Sequence, residues 1–215
     1  INFRPEYTFS LNLSIKMDAA KEIAVKNNIL KGADELFQKN GINKITMEDI
    51  AKKVGKGKST LYYYFKSKEE IFEAIIKSEK EMFFTIIQEA IARERSATEK
   101  IKVFQKMRFD MIREKANLYA ILIAETREAM EVQNKCYWRK IYDEKEINIF
   151  RCILEFGSST GEFRQIGNQE LDAISFIFTS SLRGMEMDLI MYNKLGKTDA
   201  ILNVLLDLVI NGLKK

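Results

Sequence analysis

Between residues 46 and 68 the chain gathers hydroxyls, phenols and ammonium groups: Thr46, Lys58, Ser59, Thr60, Tyr62, Tyr63, Lys66 and Lys68. Such groups donate hydrogen bonds or carry positive charge, which suits phosphate oxygens and the edges of bases. Nucleophilic catalysis would need a base beside the hydroxyls, and the chain has no histidine, so the commonest general base and metal ligand are both missing. Glutamates are plentiful, but Glu94, Glu99, Glu144 and Glu146 stand beside lysines at helical surface spacing, as on solvated faces. Gly57-Lys58-Ser59 has the ending of a phosphate-cradling loop, yet Lys52 stands where that motif needs its first glycine. The two cysteines, Cys136 and Cys152, lack metal-ligand spacing and are expected to be reduced core residues. The expectation is therefore a binding protein with no catalytic residue, no metal and no cofactor.

These donors need elements to hold them. A helix is expected from near Ala19 to Asn40, with Ile29, Ala33, Leu36 and Phe37 on one face and Gly41 closing it. Thr46 is placed to cap a second helix of about eight residues, with Glu48 and Asp49 in its first turn favoured by the helix dipole. Gly55 and Gly57 break the pattern before a third helix, Lys58 to Tyr64. Ile50, Val54, Leu61 and Phe65 form the inward set, and the small Ala51 permits a close crossing. The result is a helix-turn-helix, whose second helix fits the major groove. The run Ser67-Lys68-Glu69-Glu70 reads as a capping box opening a long fourth helix that continues past residue 90. Further helices are expected near 98–115, 118–131, 134–156, 168–192 and 198–213, with Phe156 to Phe163 as the clearest loop.

With one proline, ten glycines and 46% hydrophobic residues, the composition favours a packed all-α chain of about nine helices. Charge is uneven: twelve lysines stand against six acids between Lys16 and Lys68, and the rest is near balance. No uninterrupted apolar run is long enough for a membrane span, so no membrane partner and a cytoplasmic location are expected. The expected divisions are an extension over 1–16, read as non-native or disordered since Met17 is a natural start, a DNA-binding head over 17–66, and a body over 67–215.

Glu35-Leu36-Phe37, Gly41, Thr46 to Ala51, Gly55 and Lys58 to Ile71 together resemble the TetR family of bacterial helix-turn-helix regulators, over roughly residues 26–75. The resemblance implies that residues 58–64 are the recognition helix, with Thr60, Tyr62 and Tyr63 at DNA-contacting positions. Lys66 and Lys68 would add charge, and backbone amides at Thr46 and Lys68 would meet phosphates. The chain departs from the family pattern at Lys56, usually apolar, at Gly57, often serine, and at Tyr63, often histidine.

The resemblance also implies a body that binds a small apolar effector and pairs with a second copy. Candidates for the ligand cavity are Phe104, Met107, Met111, Tyr119, Tyr137, Trp138 and Phe150, with Glu125 and Arg127 as orienting polar groups; plain core packing uses the same residue types. The helix from Ala200 to Leu213 is apolar around more of its axis than one core stripe requires, and residues 171–191 are similarly rich. Phe176, Phe178, Met185, Leu205, Leu208 and Val209 are thus candidates for an isologous homodimer interface. A ligand-released repressor of a palindromic DNA operator is the expected function. A helical carrier or enzyme, or a helical interaction module, are the alternatives.

Overall fold

The computed structural model describes residues 5–115, 120, 137–192 and 198–214, with backbone alone at 5–18, 137–141 and 198. Among the described residues the secondary structure is entirely helical. Two compact units, Ile1–Ser78 and Glu79–Lys215, divide within the fourth helix.

The first unit opens with α1 (Pro5–Asn40), which starts well before Ala19. A proline at the first helical position loses no needed amide, and none follows within the helix. Ile29, Ala33 and Phe37 bury one face. Gly41, at φ 78°, ends the helix with its amide on the Phe37 carbonyl at 2.8 Å, and Ile42 folds under in a 3-10 turn, Ile42–Lys44. Helices α2 (Met47–Lys53) and α3 (Lys58–Tyr64) follow. The first turns of α4 (Lys68–Arg93) close this core with Ile71, Phe72, Ile75 and Ile76, and the Phe72 ring meets Phe37 edge to face at 5.9 Å. The mid-helix glycine Gly32 carries a packing constraint: a Cβ there would lie 2.4 Å from Cγ1 of Val54, so only glycine lets α1 pass this close to the turn after α2.

In the second unit, Phe83, Phe84 and Ile87 of α4 join a core with α5 (Ala97–Glu114), α6 (Tyr137–Ser159), α7 (Asn168–Met191) and α8 (Thr198–Leu213). The most extensive pairing is α6 with α7. The α5 start is capped twice. Ser96 accepts from the Glu99 amide at 3.1 Å, and the Glu162 carboxylate accepts from the amides of Ala97 and Thr98 at 2.5 and 2.9 Å. Helix α6 runs to Ser159, so Gly157 is helical where a loop was expected from Phe156. The reason is packing: a Cβ at Gly157 would sit 2.2 Å from the fully buried ring of Phe163. Apart from residue 120, the predicted helix 118–131 lies outside the described residues, as does Cys136. Cys152 is exposed on α6, not in the core.

A buried charge cluster also corrects the sequence reading. Glu146, expected on a solvated face, is 2% exposed. Arg108 of α5 reaches it with Nη1 and grips Glu186 of α7 with Nε and Nη2, while Lys80 of α4 approaches Glu146 at 3.4 Å. Burial pushes the Glu186 carboxyl above its ordinary value. Burial acts the same way on Glu146, but the charges of Arg108, Lys80 and Arg183 outweigh it and hold that carboxyl low. No helix among the described residues is long and apolar enough to cross a membrane.

Candidate nucleic-acid interface

The candidate interface is built from two short helices whose ends are fixed by local chemistry. Thr46 caps α2 in a complete capping box: its hydroxyl accepts from the Asp49 amide at 3.2 Å, and its own amide donates to the Asp49 carboxylate at 2.9 Å. The Thr46 hydroxyl also donates to the Asp49 carboxylate at 2.7 Å, and this bond together with that of the Thr46 amide holds the Asp49 carboxyl below its ordinary value. At the other end Gly55 adopts φ +65°, so its amide reaches the Lys52 carbonyl and that of Lys56 reaches Ala51. This Schellman closure turns the chain within four residues. Gly57 then opens α3 with its carbonyl accepting from Thr60 and Leu61, and no side chain caps it.

Ile50, Ala51, Leu61 and Phe65 are buried, as the spacing predicts, and Val54 is half-buried. This fixes the roll of α3. Lys58, Ser59, Tyr62, Tyr63 and Lys66 face solvent, with Tyr63 72% exposed, and Thr60 is half-buried. The structure thus brings five of the eight sequence candidates onto one open surface. Lys58 is held by an ion pair with Glu48 of α2, which keeps its ammonium above the usual lysine value, and lies 6.0 Å from the Tyr62 ring. The Tyr63 hydroxyl donates to Glu22 of α1 at 3.3 Å, and that carboxylate's charge raises the phenol above its ordinary value. The sequence reading missed both carboxylates as partners of the candidate DNA contacts. The acid at 48 was seen only as a helix-start residue, and Glu22 lies 41 residues from Tyr63.

Two candidates need correction. The Thr46 amide is occupied by Asp49, so it is not a free donor for phosphate. The Lys68 ammonium donates to the carbonyls of Ile42 and Ile45 at 2.9 and 3.0 Å, tying the 3-10 turn to the start of α4. A lysine stem long enough to reach across the turn finds carbonyls with acceptor capacity left there before it finds solvent. The expected capping box of α4 is shifted as well. Ser67 accepts from the Glu70 amide, but the Glu70 carboxylate takes the amide of Lys66.

In the second unit, Phe104 and Phe150 come together as closed core instead of cavity wall, with ring centroids 5.8 Å apart. Phe150 stacks on Phe178 at 4.1 Å. Phe178, proposed for the dimer interface, is only 2% exposed and is a core residue too. Met107 and Met111 pack half-buried against this core. Tyr119, Glu125 and Arg127 lie outside the described residues, and Tyr137 and Trp138 are placed by backbone alone in the first turn of α6. Among the other interface candidates Phe176 and Leu208 are exposed, while Met185, Leu205 and Val209 are half-buried.

Residues 29–75 match the family model for bacterial regulatory proteins of the tetR family, a span that contains α2, the turn and α3. Over 205 residues the chain is 27% identical to the HTH-type transcriptional regulator QacR of Staphylococcus aureus, covering 89% of this chain and 99% of that protein. It is 28% identical to the fatty acid metabolism regulator protein of Bacillus subtilis over 138 residues, 64% of this chain and 70% of that one. A transcriptional regulator from Cytophaga hutchinsonii superposes with a TM-score of 0.70 at 26% identity, covering 87% of this chain and 97% of that structure. A helix-turn-helix with an open donor face, set in a chain that aligns almost end to end with such regulators, identifies residues 29–75 as a DNA-binding domain of the tetR family of bacterial regulatory proteins.

Proposed function

We propose that the chain is a homodimeric repressor that occupies a palindromic operator through two copies of α3 and leaves it when a small molecule binds the second unit. The observation that carries this reading is the one-sided construction of α3. Leu61 is fully buried, while Lys58, Ser59, Tyr62 and Tyr63, with Lys66 just beyond the helix, stand in solvent, a donor face of the width a major groove admits. Of the original donor set, Thr46 and Lys68 act through the architecture of the head and not at phosphates. Exposed Phe176 and Ile177 on α7 and Val204 and Leu208 on α8 support pairing with a second copy, since apolar side chains of this size gain most when removed from water. Ligand response is supported by the similarity to a regulator named for fatty acid metabolism. Operator release requires the effector to bind the DNA-free arrangement more tightly than the bound one. The reading places the protein in the cytoplasm, as a regulator and not an enzyme.

A mobility-shift titration of the DNA upstream of its own gene against random duplex tests the reading. The expected result is a salt-sensitive preference for the upstream DNA. Lys66→Ala should weaken both complexes, and Tyr63→Ala should also alter preference between sequences. Equal affinity for both DNAs would remove the assignment.

A further inference from the structure

We propose that the groove between α4 and α6 binds an amphipathic monoanion, its carboxylate meeting Lys100 and its apolar chain lying along Phe84, Ile149 and Ile153. The proposal names the ligand class for the effector response proposed above and rests on that reading only for its regulatory consequence. The groove lies wholly within the second unit and is an open cleft of about 780 Å³, in the range of small-molecule sites. Its walls come from α4, the start of α5 and α6, and none of the sequence-derived ligand candidates lines it.

Charge decides what the groove fits. Lys100, on α5, is nine-tenths buried, yet no carboxylate lies within ion-pair distance of it among the described residues. Its ammonium donates to the Ile91 carbonyl in the last turn of α4 at 2.7 Å and sits 4.9 Å from the Phe156 ring centroid. The partial negative charge of a helix end supports such a cation, but an ammonium has three donors, and a buried charge without a counter-ion is costly. Both Ile91 and Phe156 line the groove, so an anion entering it would complete the coordination of Lys100. Lys145 adds a second positive charge at the Phe84 end, 5.5 Å from that ring and 5.6 Å from Tyr142. Against these two lysines the lining holds one carboxylate, Glu81. Glu81 stands ten residues before Ile91, about 15 Å of helix rise away from the Lys100 end. Between the ends, Phe84, Ile149 and Ile153 offer a wall without charge. Phe84 and Ile91 are separated by about 10 Å of rise, the reach of a medium-length alkyl chain.

Cys152 gives the test a local reporter, because it is exposed and lines the same groove on α6. The intact protein is alkylated with iodoacetamide, and modification at Cys152 is followed by peptide mass in the presence of decanoate, decanol or decyltrimethylammonium, each below its micelle-forming concentration. Decanoate should slow modification several-fold and saturably, with the neutral and cationic amphiphiles binding about tenfold more weakly, the size of one charge-assisted hydrogen bond. Lys100→Met should remove that preference for the anion, with the thermal midpoint reporting whether it folds. Comparing the three amphiphiles on the native chain keeps the test decisive if the variant does not fold. An unchanged rate at Cys152, or equal protection by all three amphiphiles, would overturn the proposal. A parallel mobility shift separates the two readings. Protection of Cys152 without DNA release retains the groove and removes the ligand-released repressor. Release without protection retains the repressor and removes the groove.

Discussion

The Lys68 ammonium donates to two backbone carbonyls, whereas that of Lys58 meets the Glu48 carboxylate in solvent. Residue type is the same, and the consequences differ. Lys68→Met removes a charged donor from two half-buried carbonyls, leaving that of Ile42 with the Ile45 amide alone, and should lower the stability of the head by about 1–3 kcal/mol in urea unfolding. The salt dependence of DNA binding should stay as it is, and a shallower slope would return Lys68 to the phosphate contacts. Glu48 competes with phosphate for Lys58, so Glu48→Gln should strengthen binding to random duplex a few-fold, as the loss of an exposed competing ion pair implies. The salt slope should steepen by about one counter-ion. An unchanged slope would show that Lys58 does not reach DNA. The sequence marks both lysines as candidates because it shows charge and neighbourhood. It does not show that Lys68 folds back over 26 residues of chain to Ile42, because that contact is made by tertiary placement.

At the scale of elements, what was legible is what is local. Thr46 and Asp49 close their capping box three residues apart, Gly41 and Gly55 take the positive φ that helix ends require, and Ile50, Leu61 and Phe65 follow the helical period into the core. Gly32 and Gly157 read as weak points in helices because their partners, Val54 and Phe163, meet them only after the chain has folded. Glu162 is a further case, an acid in a loop that caps α5 from 64 residues away. Burial pushes its carboxyl up, but hydrogen bonds from Thr98 and Ala97 outweigh this and hold it below its ordinary value near 4.5. A carboxyl whose folded pKa is lowered stabilises the fold fully above its unfolded value and loses that contribution as pH falls through the folded pKa. Glu162→Gln should therefore cost about 1 kcal/mol at neutral pH, the worth of an anion at a helix start. Urea titrations at pH 7 and pH 3 check this: the difference between the two chains should shrink at the lower pH. An undiminished difference would assign the loss to packing instead of charge.

Across the molecule, the periodicity that locates the cores also contained signals that residue type concealed. Arg108 continues the buried stripe of Ile101, Phe104 and Ile112, and Glu186 falls between Leu182 and Leu189 on the inward face of α7. Reading phase before polarity would have placed both inside. Phe178 shares α7 with Phe176, yet two residues of rotation separate a ring that is 2% exposed from one that is 59% exposed. Aromatic richness alone marks neither as an interface residue; the exposed phase does. On α8, Val204 and Leu208 are one turn apart and remain open, Leu208 at 69%. A second copy covering this phase would desolvate the side chain at 208, and a carboxylate buried there without a partner would cost about 3 kcal/mol or more for each protomer. Leu208→Glu should leave the helical circular dichroism of the chain nearly unchanged, because the side chain is largely exposed within its own protomer. It should convert a dimer to a monomer in sedimentation at micromolar concentration. Affinity for a palindromic site should fall because two α3 helices would no longer arrive on one body, while weak binding to random duplex by a single head should persist. If Leu208→Glu sediments as a dimer and retains full operator affinity, the exposed phase of α8 is not the pairing surface.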